Sequence, residues 1–228
     1  MFAPPFTLVR VPRSILALFG LALSAMLVSA LPEARLIAVT PSALALGALR
    51  EAILGLVPVV VLQLMFGSLQ LAGRTIDIQS GYGLALLIDP TTRAQTPLVG
   101  TLFAYAAAAV FFALDGHLRL VRLFAASLRA VPVGSTGRTG GLELLGPYLA
   151  AVSLIAIGVA SAAILVLFLT DAVVAMLSRT VPQMNALLLG IQLKALILLA
   201  VLPLCFGTSA ALFSELVARA LETMARMI

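Results

Sequence analysis

The sequence predicts an all-α polytopic membrane protein of helical hairpins, with about five long hydrophobic helices and a short amphipathic helix. Three observations predict it. Of the 228 residues, 62% are hydrophobic and only 10% charged, whereas a soluble domain carries about a quarter charged residues. The mean hydropathy is +1.19, too apolar for the chain to cover a water-facing surface. The apolar residues also fall into runs close to the ~20 residues that a helix needs to cross a bilayer.

The first run, 15–31, is opened by Ser14 as an N-cap and closed by Pro32. Arg10 and Arg13 precede it in the manner of a signal peptide, but it is about as long as a full span and lacks a clear small-residue cleavage site, so it is expected to be a retained helix. The second run, 43–72, is interrupted by Arg50 and Glu51, strongest from Ala52, and kinked by Pro58. Runs three to five are 97–114, 148–170 and 186–211, the last broken by Gln192, Lys194 and Pro203.

Three connectors separate these runs. Residues 73–96 are polar and glycine-rich, with turn signals at Gly81-Tyr82-Gly83 and Asp89-Pro90. Residues 115–143 contain an amphipathic helix, 117–130, in which Leu118, Val121, Leu123, Phe124 and Leu128 lie beside Arg119, Arg122 and Arg129. Residues 171–185 carry Arg179 and Pro182. With five spans the basic residues divide almost evenly between the two sides, so charge sets no topology.

The net charge of +5 comes almost entirely from scattered arginines, with Lys194 the sole lysine. A nucleic-acid surface needs a clustered basic stripe with stacking aromatics, and none is present. The excess suits anionic lipid or acidic partner loops. One cysteine, Cys205, and one histidine, His117, cannot make a disulfide or a metal set.

No catalytic set or cofactor motif is found. His117 neighbours Asp115 without a nucleophile at a motif spacing, and the Gly81–Gly83 glycines lack the Lys-Ser/Thr of a phosphate loop. Arg50 and Glu51 either face a cavity or sit at the interface just before a span that starts at Ala52. Lys194 is expected to snorkel or to pair with another subunit. Arg74 and Asp77, three apart, can pair along a helix. Gln63 and Gln70, seven apart, suit hydrogen bonds between helices. Alanine- and glycine-rich runs such as 106–109 and 158–163 favour close helix packing.

Four stretches resemble the FliR/SpaR (SctT) family of flagellar and type III secretion export-gate subunits, in family order and spacing. They are Leu69-Gln70-Leu71-Ala72-Gly73-Arg74-Thr75-Ile76-Asp77; Gly81-Tyr82-Gly83 with Asp89-Pro90 and Thr96-Pro97; Leu114-Asp115-Gly116-His117-Leu118 with the later Val131-Pro132-Val133-Gly134; and Ser178-Arg179-Thr180-Val181-Pro182-Gln183-Met184-Asn185 with Gly190. The likeness is strongest to flagellar FliR.

The resemblance implies a non-enzymatic subunit of an export gate in the bacterial inner membrane, at the flagellar basal body or secretion apparatus. Its partners would be FliP-like and FliQ-like gate subunits, an FlhB-like switch subunit and the unfolded proteins that are exported. It implies a FliP-like part over 1–145 and a FliQ-like helical hairpin over 146–228, with its tip at 178–185. It makes 81–96 the loop that plugs the closed pore, with Gly81, Gly83, Leu84, Leu87, Ile88, Asp89 and Pro90 as its gating residues. Asp115, Gly116, His117, Arg179, Pro182, Gln183 and Asn185 become motif and partner-contact residues. Two features depart from the family pattern. Family members usually have a further hydrophobic helix before the region matching 4–31, and their plugs carry bulky aromatics where this chain has Leu84 and Leu87. Leucine still excludes ions by dewetting. The alternatives are an injectisome (SctT-type) subunit, or a small secondary transporter or channel lined by Arg50, Glu51 and Lys194.

Overall fold

The structure is a computed structural model describing residues 4–8, 11–30, 40–82, 97–130, 142–181, 183 and 185–227. Among the described residues it holds seven α-helices and no strand: α1 Arg13–Ala30, α2 Pro41–Ser80, α3 Leu98–Ala113, α4 Gly116–Ala130, α5 Leu145–Thr180, α6 Ala186–Thr208 and α7 Ala210–Met227. A 3-10 turn, Leu142–Leu144, leads into α5. Three helices are long and apolar enough to cross a membrane. A fourth crossing is added if α3 and α4, bent by 66° at their junction, count as one span. The expected all-α polytopic membrane protein is thus the architecture found.

Several boundaries move. The helix expected from Ser14 starts at Arg13 instead, because the Pro12 carbonyl accepts the first backbone bonds, from Ile15 and Leu16. The interruption at Arg50 and Glu51 does not exist as a boundary: α2 runs unbroken through both and through Pro58. At 40 residues it is about 60 Å long, twice the ~30 Å hydrocarbon thickness. Its polar last fifth, residues 73–80, had the composition of a connector and is helix. In the same way α5 continues through Asp171 to Thr180. The fifth run divides at Ser209, whose backbone N–H closes α6 on Cys205. Beyond it, α7 buries Phe213, Leu216, Val217, Ala220, Leu221 and Met224, an i, i+3, i+4 stripe of the kind that amphipathic helices carry.

The helices form two compact units, each discontinuous in sequence. One comprises Met1–Met65, Ala108–Ala151 and Val217–Ile228. It buries Val61, Met65, Phe111, Leu120 and Met224, and the Tyr148 hydroxyl donates to the Val61 carbonyl at 3.0 Å. The other comprises Phe66–Ala107 and Val152–Leu216. Its core includes Phe66, Leu69, Ile76, Phe103, Val159 and Leu167, with the Phe103 ring edge-on to Phe206 and Phe213. Much apolar surface is left over: Leu154, Leu187, Leu196 and Leu199 are each at least two-thirds exposed. Exposed apolar area on this scale marks contact with lipid or with other proteins.

Candidate functional site

The second unit pins together the two ends of the glycine-rich segment. The C-terminal turns of α2 and the first turn of α3 touch backbone to backbone at Gly73 and Gly100. A methyl group on Gly73 would stand 2.2 Å from Gly100 Cα and N, and one on Gly100 would lie 2.8 Å from the Gln70 carbonyl oxygen. Small residues permit this approach, and only glycine permits it here. Four residues on, the buried Asp77 carboxylate accepts the Val99 backbone N–H at 3.2 and 3.3 Å. It thereby satisfies a donor that the start of a helix leaves free, and it sets negative charge at the positive end of α3. The Ser80 hydroxyl donates to the Asp77 carbonyl, which satisfies one acceptor at the end of α2.

Helices α5 and α6 hold the same end from another direction. Lys194 on α6 donates to the Gln79 carbonyl at 3.1 Å and pairs with Asp171 on α5 at 2.5 Å. The Gln79 side chain in turn donates to the Ile164 carbonyl at 3.3 Å. A lysine at a helix C-terminus complements both the unpaired carbonyls and the dipole. Lys194 was expected to snorkel or to pair with another subunit; its partner is instead within the chain. Arg74 was expected to pair with Asp77, but it is exposed, and the carboxylate turns to α3. Gln63 and Gln70 share an exposed face and bond to nothing among the described residues.

At the top of this pedestal Gly81 has φ +90 and lies against Ile191, 3.5 Å from where its Cβ would stand. The conformation is one that glycine adopts without strain. Of the gating residues read from the sequence, the structure places Gly81. Gly83, Leu84, Leu87, Ile88, Asp89 and Pro90 lie outside the described residues, as does Pro182.

The other motif residues form two separate groups. Asp115 (φ 55) turns the chain between α3 and α4, and Gly116 leaves no room for a side chain, since its Cβ would meet the Phe111 ring at 2.5 Å. His117 stands beside Phe112, its Nδ1 buried and without a hydrogen-bond partner among the described residues. At the α5–α6 junction Arg179, Gln183 and Asn185 are exposed, and the Asn185 side chain caps α6 by accepting the Leu188 N–H at 3.2 Å. Among the described residues no cluster of His, Cys, Asp or Glu could hold a metal.

Residues 1–220 match the model of a family described as bacterial export proteins, family 1. The flagellar biosynthetic protein FliR of Bacillus subtilis (strain 168) is 30% identical over 186 residues, 79% of this chain and 71% of that protein. FliR of Escherichia coli (strain K12) is 23% identical over 183 residues, 74% of this chain and 67% of that one. The surface presentation of antigens protein SpaR of Shigella sonnei is 28% identical over 159 residues, covering 70% and 62%. A match over nearly the whole chain, joined to an all-α membrane architecture, places this protein in the bacterial export proteins, family 1.

Proposed function

We propose that the chain is a non-enzymatic subunit of a protein export gate in the bacterial inner membrane, most like the flagellar type, and that it forms part of the pore through which unfolded substrates pass. What supports this most is the family match together with the way Gly73, Asp77 and Lys194 converge on the two ends of one glycine-flanked segment. A segment anchored at both ends can move without unravelling the helices that carry it. Leu84, Leu87 and Ile88 would then act as an apolar stopper, closing the conduit by excluding water, with Gly81 and Gly83 as its bending points and Asp89-Pro90 as its turn.

The division into a FliP-like part, 1–145, and a FliQ-like hairpin, 146–228, belongs to the same proposal. So do FliP-like and FliQ-like companions, which would cover the exposed apolar faces, and an FlhB-like switch subunit at the tip formed by Arg179, Pro182, Gln183 and Asn185. Asp115, Gly116 and His117 serve as a shaped corner rather than as chemistry. The transporter alternative draws no support from Lys194, whose charge is already met by Asp171.

Deleting residues 81–88 should raise ion leak severalfold in cells that carry the assembled gate, measured as proton or sodium entry under export-idle conditions. An unchanged leak, with the deleted subunit still incorporated, refutes the plug.

A further inference from the structure

Helix α4 divides its surface in an unusual way. Phe124, Ser127 and Leu128 line a groove of about 330 Å³ together with residues of α1 and α2, and Leu120 is buried. The apolar side of α4 is therefore already committed to the chain's own helices. On the opposite side stand Arg119, Arg122 and Arg129, all exposed. At 100° per residue they fall within an arc of about 80°. None of the three forms an ion pair among the described residues. Beside them Leu118 is 46% exposed, and Val121, 37% exposed, lies between the stripe and Leu128. The helix leaves α3 at 66°, at a corner fixed by the Asp115 conformation and the close seat of Gly116 on Phe111. With α3 along the bilayer normal, a helix departing at this angle lies closer to the membrane plane than to the normal.

We propose that this face of α4 binds the headgroups of anionic phospholipid. Guanidinium groups fork onto phosphate oxygens, and three of them on one stripe match a surface of negative phosphates. The flanking Leu118 favours lipid over an acidic protein, because it reaches the acyl boundary beside the charges, as interfacial helices do. The inference needs only that the protein resides in a membrane, so it stands or falls apart from the export role.

The chain has no tryptophan, so Val121→Trp supplies a single reporter on the full-length protein in neutral-detergent micelles. Titration with dioleoylphosphatidylglycerol should give a saturable blue shift that dioleoylphosphatidylcholine does not, and 0.5 M salt should weaken it. Each arginine is expected to contribute roughly fivefold, so Arg119, Arg122 and Arg129 all changed to Gln should weaken binding by roughly a hundredfold, while the three changed to Lys retain most of it. Equal responses to the two lipids overturn the proposal, as does an undiminished response in a folded Gln variant. A soluble glycerol phosphate that reproduces the full response, or an acidic polypeptide that binds where lipid does not, also overturns it. Should the Gln variant not fold, the lipid and salt comparisons on the Val121→Trp protein decide.

Discussion

Gly73→Val should cost at least about 3 kcal/mol of stability, a drop of roughly 6–12 °C in Tm for a chain of this size. The reason is the absence of any soft neighbour. The added Cβ meets the Gly100 backbone and lies 2.8 Å from the Val99 carbonyl carbon, so no rotamer change relieves it. Either α2 and α3 separate, uncovering Ile76, Val99, Phe103 and Ala104, all almost fully buried, or the start of α3 unwinds. Gly67 provides the control on the same helix. Nothing lies within 4 Å of a Cβ there, so Gly67→Ala should be neutral or should stabilise by about 0.5–1 kcal/mol, because alanine restricts the unfolded chain. Thermal melts in detergent compare the two directly. A Gly73→Val protein that melts with the parent contradicts the backbone contact.

Asp77→Leu should destabilise by about 2–4 kcal/mol, because it leaves the Val99 N–H unsatisfied where little water can replace the carboxylate. It also removes negative charge from the start of α3. Asp77→Asn keeps an acceptor oxygen in the same place and should retain more than half of the lost stability. Amide exchange at residues 98–101 reads the effect locally: it should speed up markedly in the Leu variant and modestly in the Asn variant. Equal exchange in the Leu variant and the parent excludes a role for Asp77 at this helix end.

What the sequence made legible follows from the kind of force involved. The membrane class, the apolar cores of the five runs and the amphipathic character of α4 all depend on local composition and periodicity, and each appears in the structure. The extent of α2 was not legible. Arg74, Asp77, Gln79 and Ser80 give its last turns the look of a loop, and they stay helical because partners far away in sequence satisfy them: Val99 for Asp77, Ile164 and Lys194 for Gln79. The Lys194–Asp171 pair was hidden for the same reason, since it requires α5 to continue past the apolar run and α6 to fold back beside it. Helix α7 was legible in principle. Its stripe at 213, 216, 217, 220, 221 and 224 is regular, but four charged residues at similar spacing mask it in a reading weighted toward long apolar runs. At the candidate site the conformational freedom of Gly81 was visible in the sequence, whereas the pedestal beneath it was not.

That the segment beginning at Gly81 lines a conduit shared with exported polypeptide is open to direct capture. Cys205 is the sole cysteine and is buried, so Cys205→Ala gives a thiol-free chain to which Leu84→Cys or Leu87→Cys can be added. With an export substrate stalled in transit and carrying its own cysteine, oxidation should join it to position 84 or 87 and leave the exposed control Leu199→Cys on α6 unlinked. Capture at position 199 but at neither 84 nor 87 would place the polypeptide elsewhere and contradict the account.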